Sequence, residues 1–147
     1  MCREVRKQCQ CGRQQVQFHL RDNVMIPEVI SRLFCPECPG DTGFVESTMI
    51  TDNGWIIEYD MELARALGVR KLQLDADEIT PAVIFDGGYA CWLETYPGER
   101  EEIREEKCRI MELLKVDQKK YLEAIHSWNI DRVARLKADG WRRARLS

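Results

Sequence analysis

Two stretches decide how the first third of this chain folds, Cys9-Gln10-Cys11-Gly12 and Cys35-Pro36-Glu37-Cys38. The inner cysteines of the two pairs are separated by 23 residues. Four thiolates at the corners of a tetrahedron are a ligand set of structural zinc, and each close pair can supply two corners. The spacing therefore predicts one zinc ion per chain, bound by Cys9, Cys11, Cys35 and Cys38.

The residues between the pairs begin with a strand pattern, because Val16, Phe18 and Leu20 alternate with polar residues. We expect a β-hairpin within this insert to bring the second pair back to the first. Gly12 and Gly40 let the backbone bend close to the sulfur atoms, and the Gly40 N–H is a candidate donor to a thiolate.

The Cys-Pro-x-Cys knuckle and the strand patterns around it resemble the zinc-ribbon, or rubredoxin-like, class over residues 8–58. The first pair departs from that class, because it is Cys-x-Cys where the class usually has Cys-x-x-Cys. The resemblance implies a fold and a metal ion, with zinc favoured over iron. It implies no activity, since zinc ribbons serve many functions.

The cysteine spacing is also similar to the thiol switch of a redox-regulated chaperone, in which Cys-x-Cys precedes Cys-x-x-Cys. This similarity leaves a redox sensor open as an alternative to a permanently reduced site. A thioredoxin-type role for Cys35 is disfavoured, because that chemistry needs the cysteine at a helix N-terminus. Pro39-Gly40 follows where that helix would run.

One histidine and three further cysteines are weighed beside the cluster. His19 is either a donor outside the ligand shell or a half-exposed strand residue, and the second interpretation is favoured. Cys2 lies at a terminus that is expected to fray. Cys91 is expected to be buried and inert, and the role of Cys108 stays open.

The composition is that of a folded protein, with 44% hydrophobic and 32% charged residues and a net charge of −3. No apolar run is long enough to span a bilayer, and no apolar stretch of a secretory signal follows the charged first residues. Without such a signal, seven cysteines are more typical of metal binding than of disulfides. We therefore expect a soluble, cytoplasmic chain.

Residues 1–60 indicate a module of short antiparallel strands. A turn is expected at residues 39–43 and a strand from Phe44 to Thr51. Asn53-Gly54 then predicts a tight hairpin turn, because both residue types tolerate positive φ. The returning strand is expected from Trp55 to Tyr59.

Residues 61–98 indicate a mixed region. A helix is expected from Met61 to Leu67, with Asp60 as its N-cap and Gly68 as the residue that ends it. Alternation at Leu72 and Leu74 then predicts extended chain.

The segment from Val83 to Leu93 has two interpretations. Its apolar residues predict two strands across an Asp86-Gly87 turn. Alternatively, Thr80-Pro81 is a helix start, because threonine caps helices and proline suits the first helical position.

Residues 99–147 indicate a helical unit with a basic tail, so the fold class predicted for the whole chain is α+β. Helices are expected from Glu99 to about Leu114 and from about Asp117 to Ser127. A third helix is expected from Asn129 to Gly140. The last two resemble one helix pair of an ankyrin repeat, and a single repeat cannot bury its own face.

No catalytic constellation is evident, so the favoured function is a non-enzymatic zinc-binding adaptor. Its partner is expected to be another protein or a second copy, bound through residues 99–147. The alternative of nucleic-acid binding relies on the basic tail, Arg142-Arg143-Ala144-Arg145. It is disfavoured because residues 1–98 carry nine Lys or Arg against fifteen Asp or Glu, which repel phosphates.

Overall fold

The computed structural model describes residues 2–38 and 43–145. The chain forms two compact units, Met1–Leu93 and Glu94–Ser147. Within the described ranges the first unit contains the strands and two α-helices, and the second contains only helices, so the predicted α+β class is confirmed. Gly40 and most of the turn predicted at 39–43 lie outside the described residues.

The first sheet confirms the predicted alternation, because Val16, Phe18 and Leu20 are all buried. Side chains two residues apart point to the same face of a strand, and here that face lies against the core. The strands of this sheet are antiparallel and lie in the order β1 (Arg3–Gln8), β2 (Gln15–Leu20) and β6 (Cys91–Trp92).

The second sheet confirms the predicted Asn53-Gly54 turn, where φ is 46° at Asn53 and 90° at Gly54. The strand predicted from Phe44 is wrong in its first part. The N–H groups of Thr48 and Met49 donate to the Val45 carbonyl and form a turn there. The strands of this sheet lie in the order β3 (Ile30–Phe34), β5 (Trp55–Tyr59) and β4 (Met49–Asp52).

The hairpin predicted within the insert between the cysteine pairs is wrong, because β2 and β3 lie in different sheets. Two 3-10 turns, Arg21–Asn23 and Pro27–Val29, separate these strands. The positive φ of Asp22 and Asn23 redirects the backbone. The chain therefore passes from the first sheet to the second between the two cysteine pairs.

The core of the first unit is built around Trp92, which is 1% exposed. Its ring lies 5.2 Å from Phe18, 5.7 Å from Trp55 and 5.8 Å from Phe85, measured between centroids. The indole N–H donates to a carboxylate oxygen of the buried Asp52 at 2.8 Å. Residues from both sheets therefore share one core, which positions the ends of β1 and β3.

Helix α1 (Met61–Leu72) begins as predicted, because the Asp60 carboxylate accepts the Leu63 N–H at 3.1 Å. Its predicted end at Gly68 is wrong. A Cβ at position 68 would lie 2.4 Å from Cδ1 of Ile79, so the glycine permits close packing within the helix. The helix ends at Gln73, whose φ is 57°, and the extended chain predicted at Leu72 is also wrong.

Helix α2 (Pro81–Asp86) replaces the first of the two strands predicted from Val83 to Leu93. The Thr80 hydroxyl accepts the Val83 N–H at 3.2 Å, so the alternative interpretation of Thr80-Pro81 as a helix start is confirmed. Only β6 remains extended in this segment.

In the second unit, the helix predicted from Glu99 to Leu114 is divided at Ile103. Tyr96, Leu136 and Ala144 form a small buried cluster, and the Trp141 ring stacks on Tyr96 at 5.1 Å. The helices of this unit are α3 (Glu99–Glu102), α4 (Arg104–Glu112), α5 (Gln118–Asp139) and α6 (Arg142–Arg145).

Helix α5 is continuous, so the predicted break at Asn129 and the ankyrin-like helix pair are wrong. Asp117 caps its first turn through the N–H groups of Lys119 and Lys120, and Gly140 ends it with a φ of 94°. Residues 118–139 contain neither glycine nor proline, and one asparagine inside a helix costs only about 0.5 kcal/mol relative to alanine.

Among the described residues, no helix combines the length and the hydropathy that crossing a membrane requires.

Candidate metal centre

The first cysteine pair lies in the tight turn that follows β1. The Gly12 N–H donates to the Cys9 carbonyl at 2.9 Å, and Gly12 has a φ of 76°, which glycine adopts without strain. The turn then continues into β2, because the Cys9 N–H donates to the Gln14 carbonyl at 3.0 Å. The Gln14 N–H lies 3.4 Å from the Cys9 Sγ and donates to it.

The second pair lies in a turn that follows β3. The Cys38 N–H donates to the Cys35 carbonyl at 3.1 Å, and the Cys35 N–H donates to the Cys38 Sγ at 3.2 Å. A backbone hydrogen bond of 2.8 Å from the Gln10 N–H to the Leu33 carbonyl joins this turn to the first one. This backbone hydrogen bond therefore holds the two turns beside each other.

The four sulfur atoms converge on one point, all lying within 4.8 Å of one another. Three of the Sγ–Sγ distances are 3.2 Å from Cys9 to Cys11, 3.4 Å from Cys11 to Cys35, and 3.5 Å from Cys35 to Cys38. Sulfurs bound to one tetrahedral zinc ion at about 2.3 Å would lie about 3.8 Å apart, whereas disulfide sulfurs lie about 2.05 Å apart. The sulfur atoms are therefore close enough together to hold a metal ion and too far apart for a disulfide.

Burial and hydrogen bonding distribute the protons of these thiols unevenly. Burial by itself raises the pKa of Cys9, but hydrogen bonds from the Cys11 thiol and the Gln14 N–H outweigh it and lower that pKa to about 6. Burial, together with hydrogen bonds to Cys11 and Cys38, raises the pKa of Cys35 to about 12. These interactions favour the thiolate form of Cys9 and the protonated form of Cys35, and a bound divalent cation would favour the thiolate form of all four cysteines.

The other predicted candidates do not join the cluster. His19 is half-buried and lies opposite Glu4 and Cys91 in the first sheet. Cys91 is buried as expected, with its thiol directed at the Trp92 carbonyl at 3.5 Å. Cys2 and Cys108 are exposed. Among the described residues, the four cysteines are the one group of three or more potential ligands close enough to hold a metal ion.

The supporting residues were only partly evident from the sequence. Gly12 was recognised as a turn glycine, and its carbonyl also accepts from the Gln8 side chain at 2.9 Å. The N–H donors from Gln10 and Gln14 were missed, because backbone donors leave no residue-type signal. Gly40, the donor expected from the sequence, lies outside the described residues.

Four sulfur ligands fill a tetrahedral shell, which leaves no coordination position for water or substrate. The centre is thus compatible with a zinc-ribbon-like structural site. Comparisons with protein-family models, curated proteins and solved structures gave no match to this chain.

Proposed function

We propose that this chain is a non-enzymatic zinc-binding protein that acts as an adaptor. In this proposal its first unit holds one zinc ion in a zinc-ribbon-like site, and its second unit binds another protein. The convergence of the four Sγ atoms carries the metal part of the proposal.

Zinc is favoured over other metals by the ligand set. A tetrahedral site of four thiolates suits zinc or iron, and the first pair departs from the Cys-x-x-Cys knuckle usual in rubredoxin-like iron sites. Structural zinc contributes about 10 kcal/mol or more of binding free energy to small modules at neutral pH. Such a site would act by holding β1, β2 and β3 in place.

The adaptor part is supported by the exposed apolar side chains of the second unit. Val116 is 85% exposed, Leu122 62% and Ile130 55%. Scattered apolar residues are normal on a protein surface, but contiguous exposed patches mark interaction sites. Of the exposed apolar residues in this unit, Leu122 and Ile130 lie within the long helix α5, and Val116 lies just before it.

Elemental analysis of the purified chain tests the metal assignment. We expect close to one zinc per chain, a marked loss of zinc in Cys35→Ser, and full retention in Cys108→Ser, because Cys108 is exposed and far from the cluster in sequence. Iron with the colour of ferric thiolate would contradict the zinc assignment. A folded chain without metal would contradict the site.

A thiol-based redox sensor is the second candidate, because Cys11 and Cys38 are only half-buried and each lies beside a second thiol. Two thiolates and two protons would reduce one hydrogen peroxide to two waters, forming one S–S bond and releasing zinc. Reversible zinc release at low peroxide, with refilling after a dithiol reductant, would support this candidate. Retention of zinc would oppose it.

Nucleic-acid binding by the tail keeps less support. The Arg143 guanidinium donates to the Glu94 carbonyl at 2.9 Å, and Arg142 and Arg143 are half-buried. Only Arg145 of the three tail arginines is exposed. Each neutralised phosphate adds about one unit to the salt dependence of binding, so this tail would hold nucleic acid weakly.

A further inference from the structure

Helix α5 is fixed within its unit along one face. Arg132 is 7% exposed and donates to the Glu99 carboxylate at 3.1 Å and to the Tyr96 hydroxyl at 2.9 Å. Its guanidinium also lies 5.6 Å from the ring centroids of both Tyr96 and Trp128. We call Tyr96, Glu99 and Arg132 the Arg132 clasp. With Leu136 one turn further along, these contacts show which side of α5 faces its own unit.

A second side of α5 carries apolar residues that stay exposed in the part of the chain that the structure describes. Leu122 is 62% exposed, Ile130 55% and Val133 38%. Residues three and four apart share a helix face, so these three side chains lie on one face of α5, and His126 lies between Leu122 and Ile130. Several of them border a shallow concave surface. We call this set the α5 stripe: Leu122, His126, Ile130, Val133 and Lys137.

The charges along the α5 stripe are mainly basic. Lys119 precedes Leu122 by one turn on the same side, and Lys137 ends the stripe, so a cation lies at each end. Glu123 is the carboxylate at its border, and none of these three side chains forms an ion pair among the described residues. The stripe spans about 22 Å at 1.5 Å per residue.

This charge pattern disfavours a second copy of the chain as the occupant. A two-fold symmetric contact places the same patch on both subunits. An antiparallel pair of α5 helices centred near Trp128 would bring Lys119 of each copy beside Lys137 of the other. A parallel pair would bring Lys119 beside Lys119 of the other copy, and Lys137 beside Lys137 of the other copy. Both arrangements place like charges together at the ends of the contact.

We propose that the α5 stripe binds an amphipathic helix of a partner protein whose apolar side is flanked by Asp and Glu. This inference rests on the proposed role of the second unit in binding protein. The apolar side would pack on the shallow surface at Ile130 and Val133 and continue along α5 to Leu122, with anchors three and four residues apart as in helix-in-groove complexes. Acidic residues toward both ends would face Lys119 and Lys137.

The test uses two synthetic amphipathic peptides about 18 residues long, which span about 27 Å as helices. Both carry leucines at helical spacing, and they differ only in having glutamates or lysines beside the leucines. Fluorescence anisotropy with the full zinc-loaded chain measures both affinities. We expect the glutamate peptide to bind at least about tenfold more tightly, with a preference that weakens as salt rises.

Matched variants assign the effect to the stripe. Ile130→Asp should weaken binding of the glutamate peptide at least about tenfold, a typical loss for a central interface residue. Lys119→Glu with Lys137→Glu should reverse the preference toward the lysine peptide. Met111→Asp, at an exposed position on α4, should leave both affinities unchanged.

Equal affinity for the two peptides, or no binding of either, would overturn the inference. A dimer of the full chain that dissociates in Ile130→Asp would also overturn it, by showing that a second copy occupies the stripe. Zinc content is measured on the same samples. A chain without zinc that still prefers the glutamate peptide would contradict the proposed metal site and leave this inference standing.

Discussion

In the first unit Trp92 packs against three other aromatic rings, whereas in the second unit the described buried cluster consists of Tyr96, Leu136 and Ala144. The first unit contains an aromatic core and a cluster of four cysteine thiols. The second unit contains capped helices and the Arg132 clasp, and several of its large apolar side chains are exposed. The second unit thus combines polar contacts on one side of α5 with exposed apolar side chains on another, and it is these side chains that we propose bind a partner.

The largest effect is expected from Cys35→Ser, which removes a thiolate ligand from the proposed zinc site. Structural zinc contributes about 10 kcal/mol in small modules, and much of that stabilisation would be lost. We expect the first unit to lose protease resistance while the helices of the second unit persist by circular dichroism. Cys108→Ser is the control. A first unit that keeps its resistance in Cys35→Ser would show that the aromatic core alone suffices.

The next effect is expected from Arg132→Ala in the second unit. The substitution leaves the Glu99 carboxylate, whose side chain is only 15% exposed, without its cation. Removing one partner of a buried ion pair costs about 3 kcal/mol. Urea unfolding of the full chain should show this loss in the transition of the helical unit, with Arg135→Ala as an exposed control on the same helix. Equal stability of the two variants would contradict the clasp.

The smallest effect is expected from Gly68→Ala in α1. The added Cβ would overlap Cδ1 of Ile79, and overpacking of this kind costs about 1 to 3 kcal/mol. Because Ile79→Val removes Cδ1, we expect the same Gly68→Ala change to cost less in that background, as a double-mutant cycle would measure. An identical cost in both backgrounds would show that the overlap with Cδ1 of Ile79 is not the cause of the loss.

Gly68 also illustrates how far the sequence predicts the fold. Signals that act over a few residues were interpreted correctly: the Asp60 cap, the Asn53-Gly54 turn and the alternation at Val16. Gly68 was misinterpreted because its role depends on Ile79, which approaches it only in the folded chain. The pairing of β2 with β6 was unpredictable for the same reason, since the two strands are more than 70 residues apart.

The candidate site was easier to predict than the sheets around it. Four cysteines in two close pairs carry their own signal, and the structure brings their sulfur atoms together. The β-hairpin predicted between the two cysteine pairs was wrong, because the strand pattern at Val16 to Leu20 does not specify which strand it pairs with. Residue type alone predicts a cap at Asn129, although an asparagine within a helix is tolerated when the flanking residues favour helix.

X-ray absorption at the zinc edge is the decisive measurement for the metal centre, because it reports both the metal and its ligands in the full chain. We expect one shell of four sulfur atoms at about 2.3 Å. The Cys38→Ser chain, if it retains zinc, should show three sulfurs and one lighter ligand. A native spectrum with nitrogen or oxygen in the first shell, or with fewer than four sulfurs, would contradict the assignment to Cys9, Cys11, Cys35 and Cys38.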